Sequence, residues 1–127
     1  QISPLMDACG VQLHKNMIRN ADSAIADYII YGIIEDHPIF RSPNEITGMI
    51  VPVGDYAWQG DVGDLLKLSR YGNATILGGQ RIKDDDEYGA IVECLDGRMI
   101  LQTLSTHDLS LTDSNALWEN YIQYVLQ

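Results

Sequence analysis

The chain has 127 residues, enough for one domain with its own core and too few for two. A composition of 46% hydrophobic and 20% charged residues excludes a disordered segment. No stretch approaches the roughly 20 apolar residues of a membrane-spanning helix; the longest, Tyr28 to Ile34, is interrupted by Gly32. Eight Lys and Arg against 18 Asp and Glu give a net charge of −10. That field repels nucleic-acid phosphates and anionic lipid; it serves solubility first, and the partner it suits is a basic protein.

Ser3-Pro4 places a cap before a proline at the first helical position, and Leu5, Cys9, Leu13 and Met17 follow at four-residue intervals. This predicts a helix, with Gly10 as the point where it can break into two pieces. From Ala26 to Glu35 the run is β-branched and aromatic, which predicts a buried strand ending at His37-Pro38. Arg41-Ser42-Pro43-Asn44 reads as a turn, and Ile46 to Val53 as a second strand antiparallel to the first.

The stretch 55–72 is punctuated by Gly54, Gly60 and Gly63, and its Leu65-Leu66-Lys67-Leu68 fits helix and strand about equally. Ala74 to Leu77 predicts a short strand closed by a turn at Gly78-Gly79, and Asp84 to Glu87 a solvated loop. Ala90–Leu95 and Arg98–Leu104 flank Asp96-Gly97, the signature of a hairpin with a type I′ turn.

At the C-terminus Thr112, Asp113 and Ser114 offer caps for a helix with a wide apolar arc. Trp118, Ile122 and Val125 lie at the centre of that arc and are the expected core, while Glu119, Asn120, Gln123 and Gln127 fill the other side. A homodimer is expected through Leu117, Tyr121 or Tyr124, near the edges of the arc. The architecture predicted is α+β in a single domain: an antiparallel sheet of four or five strands with N- and C-terminal helices packed on it.

The segment Gly32-Ile33-Ile34-Glu35-Asp36-His37-Pro38-Ile39-Phe40 resembles a Gly-x-apolar-x-x-His-Pro-x-Phe pattern in small bacterial proteins of prophages, integron cassettes and other mobile elements. The resemblance covers about a fifth of the chain. Such proteins tend to carry an Asp-Gly turn where this chain has Arg41-Ser42-Pro43-Asn44. It implies a bacterial accessory protein and no particular chemistry.

Signals for catalysis are sparse. His14, His37 and His107 lack a partner at metal-ligand spacing, and Asp55, Asp61 and Asp64 miss the spacing of a calcium loop. His107-Asp108 are adjacent in sequence, so they do not aim at one another as an oriented base requires. His37 before a proline is the expected turn residue whose ring bonds the backbone. Gly78-Gly79 has no P-loop Lys beside it, and no serine lies in a nucleophile elbow. Cys9 and Cys94, distant and among apolar neighbours, are expected as buried thiols in a reducing, cytoplasmic setting, and no signal-peptide pattern is present.

The leading expectation is therefore a non-enzymatic acidic interaction module without cofactor or metal. The alternative is a small-molecule-binding domain or modest enzyme with its pocket at His37 and the loop aromatics Tyr56, Trp58 and Tyr71.

Overall fold

The computed structural model describes residues 4–18, 30–32, 36–46, 49–50, 61–69, 73–80, 88–104 and 110–127. Tyr56, Trp58 and Tyr71, the acidic run Asp84 to Glu87, and His107-Asp108 lie outside these residues. No helix among the described residues is long and apolar enough to cross a membrane.

Helix α1, Pro4–Cys9, starts at the expected proline and stops at Gly10. Gly10 takes φ 83°, a left-handed value open to glycine, and its N–H donates back to the Met6 carbonyl at 2.9 Å. Beyond it the expected second helical piece is a strand, β1 (Val11–Ile18). Val11, Leu13 and Met17 serve a strand period as well as a helical one, and the antiparallel ladder to β4 (Asp61–Leu68) decides between them. The ambiguous Leu65–Leu68 stretch is strand for the same reason.

Strands β2 (Ile30–Gly32) and β3 (Met49–Ile50) form the expected antiparallel pair. Strand β5 (Thr75–Gln80) continues through Gly78-Gly79, so the turn expected there is corrected: these glycines pair with Gly32 and Tyr31 of β2. Strands β6 (Tyr88–Gly89) and β7 (Ile91–Cys94) are separated by Ala90 alone, and β7 turns back into β8 (Met99–Gln102). In that turn Leu95 O accepts from Arg98 N at 3.2 Å, and Leu95 (φ 53°), Asp96 (φ 57°) and Gly97 (φ 78°) are all left-handed. The hairpin is where it is expected, but it turns through four residues, 95–98, between the paired Cys94 and Met99, and not through a two-residue type I′ turn.

The α+β class holds, but the single sheet of four or five strands does not. Among the described residues the strands divide into a three-stranded sheet, β1-β4-β6, and a five-stranded sheet, β3-β2-β5-β7-β8. The two meet where β6 runs into β7 and where Asp64 N donates to Thr103 O at 2.9 Å. Alternation along the strands then feeds two cores. Leu65, Leu77 and Ile91 point to one, with Ile39, Phe40, Leu117 and Tyr121; Leu66, Ile76 and Val92 point to the other, with Cys9, Val11 and Cys94.

Helix α2, Leu111–Val125, is capped by Ser110, whose Oγ accepts from Asp113 N at 3.1 Å, upstream of the three expected caps. Its orientation also differs from the expectation. Leu117, Asn120 and Tyr121 are buried, whereas Trp118 and Ile122 are 50% and 54% exposed. The inward stripe runs through a polar residue that the apolar arc had placed on the solvent side. Asn120 is fully buried because the chain after Phe40 comes to meet it: its Nδ2 donates to Ile39 O and Asn44 O, both at 2.8 Å, and its Oδ1 accepts from Asn44 N at 2.9 Å. Leu117 and Tyr121, expected at a dimer contact, are core residues of the chain itself.

Candidate functional site

His37, Glu93 and Tyr124, from three elements, converge at one end of the five-stranded sheet. His37 caps the 3-10 turn Pro38–Phe40, its Nδ1 accepting from Ile39 N at 3.2 Å. Its Nε2 therefore carries the proton and donates to Glu93 Oε2 at 3.1 Å. Glu93 sits on β7 with its side chain on the α2 face, and its other oxygen accepts a short hydrogen bond from the Tyr124 hydroxyl. The His37 and Tyr124 rings lie against each other, centroids 4.8 Å apart. The bond to Glu93, with burial and the carboxylate charge adding to it, raises the Tyr124 phenol to about 12.

This cluster has the partners of a catalytic triad without its free base. An oriented histidine keeps one ring nitrogen for the carboxylate and offers the other to a substrate. Here the second nitrogen is taken by Ile39 N–H. The arrangement is a latch that ties the 3-10 turn, β7 and α2 together. Histidine 14 is likewise placed by packing, its ring 4.5 Å from that of Tyr88.

Beside the latch opens a cleft of about 540 Å³. One wall is the end of α1 with Gly10, Asp7, Ala8 and Cys9; the other is the β7–β8 hairpin from Glu93 to Gly97, and Asn73 and Thr75 at the start of β5 lie between them on the lining. Asp7 and Asp96 bring carboxylates to it, Glu93 lines it while its own carboxylate turns to His37 and Tyr124, and no Lys or Arg is among its described lining residues. Both oxygens of Glu93 are engaged, so Asp7 and Asp96, both exposed, are the carboxylates open to a ligand. Among the described residues no group of three or more His, Cys, Asp or Glu is placed to hold a metal.

The two walls are joined covalently. Cys9 and Cys94 form a disulfide, Cα–Cα 5.3 Å across 85 residues of sequence, which corrects the expectation of two thiols. The reason is topological: α1 ends over the face of β7 to which Cys94 points, and no local signal announces that meeting.

Of the residues expected at a site, His37 is in the latch, Tyr124 is in the latch instead of at a dimer contact, and Tyr56, Trp58 and Tyr71 lie outside the described residues. Glu93 and Asp96 had drawn no functional expectation, because an acidic residue in a hairpin reads as solvent-facing. Compared with protein-family models, curated proteins and solved structures, the chain matches none.

Proposed function

We propose that the protein is a non-enzymatic interaction module of a bacterial mobile or accessory element, and that its cleft receives a Lys- or Arg-bearing segment of a basic partner. The observation that carries this reading is the cleft itself: about 540 Å³, with Asp7 and Asp96 on its lining and no Lys or Arg among the described residues that line it. The net charge of −10 steers a basic partner toward the molecule. The engaged histidine supports binding over catalysis, and the resemblance at Gly32–Phe40 supports the bacterial accessory setting. The Cys9–Cys94 bond favours an oxidising compartment over the cytoplasm.

The test is fluorescence anisotropy with a labelled hexalysine peptide and a hexaglutamate control. Hexalysine should bind at low salt, weaken as salt rises, and weaken about tenfold or more in the Asp7→Asn/Asp96→Asn variant, as removal of exposed charge partners does. Equal affinity of the variant and the unmutated protein would reject the cleft as the site.

A second reading, homodimerisation, draws on one observation. Trp118 and Ile122 border an apolar groove of about 260 Å³ with Met99 and Ile100 of β8, a strand at the edge of its sheet. A twofold pairing of β8 with its copy would cover both features. Sedimentation at micromolar concentration tests it; a 14.2 kDa species alone excludes it.

A further inference from the structure

Helix α1 forms one wall of the cleft, and Cys9 with the partly buried Met6 seats it on the second core. It is six residues long, well short of the roughly 12 to 15 an isolated helix needs. Among its residues only Cys9 is buried, and Leu5, Asp7 and Ala8 are exposed. Past its end Gly10 O accepts from Ser69 N at 2.9 Å. The strongest connection between this wall and the opposite one is the covalent bond from Cys9 to Cys94, and both cysteines line the cleft.

We infer that the Cys9–Cys94 disulfide is a redox clamp on the cleft: its reduction by a dithiol releases the α1 wall and lowers the affinity for a basic ligand. The inference rests on the reading of the cleft as the binding site. In the step, a thiolate of the dithiol attacks one protein sulfur and the other leaves as a thiolate that takes up a proton. The second thiol of the dithiol then displaces the first protein sulfur. Two protein thiols and one oxidised dithiol result, so the two electrons come from the dithiol. Reduced, the α1 wall that carries Asp7 is no longer tied to the hairpin that carries Asp96. An oxidising compartment keeps the clamp shut; a dithiol-rich one opens it.

The experiment compares oxidised protein with protein treated with dithiothreitol, using labelled hexalysine as probe and hydrogen exchange as an independent readout. Reduction should weaken hexalysine binding about tenfold, within the ordinary range of coupling between two sites, and reoxidation should restore it. Exchange at the amides of Leu5 to Gly10 should rise while those of Ile91, Val92 and Leu117 stay protected. A Cys9→Ser/Cys94→Ser variant should bind weakly and ignore the reductant. Unchanged exchange in α1 on reduction would overturn the clamp, and so would loss of protection throughout the domain, which would make the bond a staple of the whole fold. If hexalysine fails to bind even the oxidised protein, the cleft reading falls, and with it the clamp's effect on affinity; the exchange data then still show whether α1 is released.

Discussion

Asn120 decides how α2 lies on the protein. A buried amide whose hydrogen bonds reach Ile39 O and the backbone of Asn44 cannot be removed without stranding those groups away from water. Asn120→Ala should therefore destabilise the domain by about 2 to 4 kcal/mol in urea denaturation, from stranded partners of about 1 to 3 kcal/mol each. An unchanged midpoint would show that the 40–44 chain does not dock there. Leu117→Ala should cost about 2 to 5 kcal/mol as a fully buried truncation, whereas Trp118→Ala should cost about 1 kcal/mol, the worth of its edge-on contact with Tyr121. The reverse ranking would restore the orientation that the apolar arc suggests. Tyr124 adds a pH dependence. Its folded value of about 12 lies above the ordinary 10.0 of an unfolded tyrosine. The unfolded chain thus loses its proton first, and the stabilisation, complete below pH 10, is lost as the pH climbs toward 12. Tyr121, raised by burial, acts in the same direction. Thermal melts between pH 8 and about 11 should fall more steeply for the unmutated protein than for Tyr124→Phe; identical slopes would contradict the bond to Glu93.

The β7–β8 hairpin reverses where its local signal places it, although the turn takes in Leu95 and Arg98 as well as Asp96-Gly97. Asp96-Gly97 supplies the left-handed pair, and a Cβ on Gly97 would stand 2.9 Å from Glu93 Oε1 and 3.2 Å from the Tyr124 hydroxyl. Gly97→Val should cost more than about 1 kcal/mol through left-handed strain on a branched residue, and should disturb the latch as well. A normal melt would refute both. Gly89 is as constrained without lying in a turn: a Cβ there would meet Ile76 Cγ2 and come 2.5 Å from Gly78 O, so Gly89 lets β6 and β5 approach. The start of α1 and the presence of α2 were equally legible, each marked by caps or period. What local signals could not separate was α1 from β1. Cys9, Leu13 and Met17 satisfy the spacing of a helix, and only the ladder to β4, some 50 residues on, makes the second part a strand.

At the scale of the whole molecule, acidity and the scarcity of catalytic signals were plain in the sequence, and the site was not. His37 and Glu93 are 56 residues apart, Glu93 and Tyr124 are 31 apart, and Cys9 and Cys94 are 85 apart. None of these meetings leaves a periodic or spacing signature, since each depends on which strands pair. The same is true of Asp7 and Asp96, which face one cleft only because α1 ends above β7. The central claim, that this cleft is where a basic partner docks, is tested most directly by mapping amide shifts by NMR as hexalysine is added. The account predicts that the shifted amides are those of Asp7 to Gly10, Asn73, Thr75 and Glu93 to Gly97. Shifts gathered instead on Met99 to Gln102 and Trp118 to Val125, or scattered evenly over the acidic surface, would contradict it.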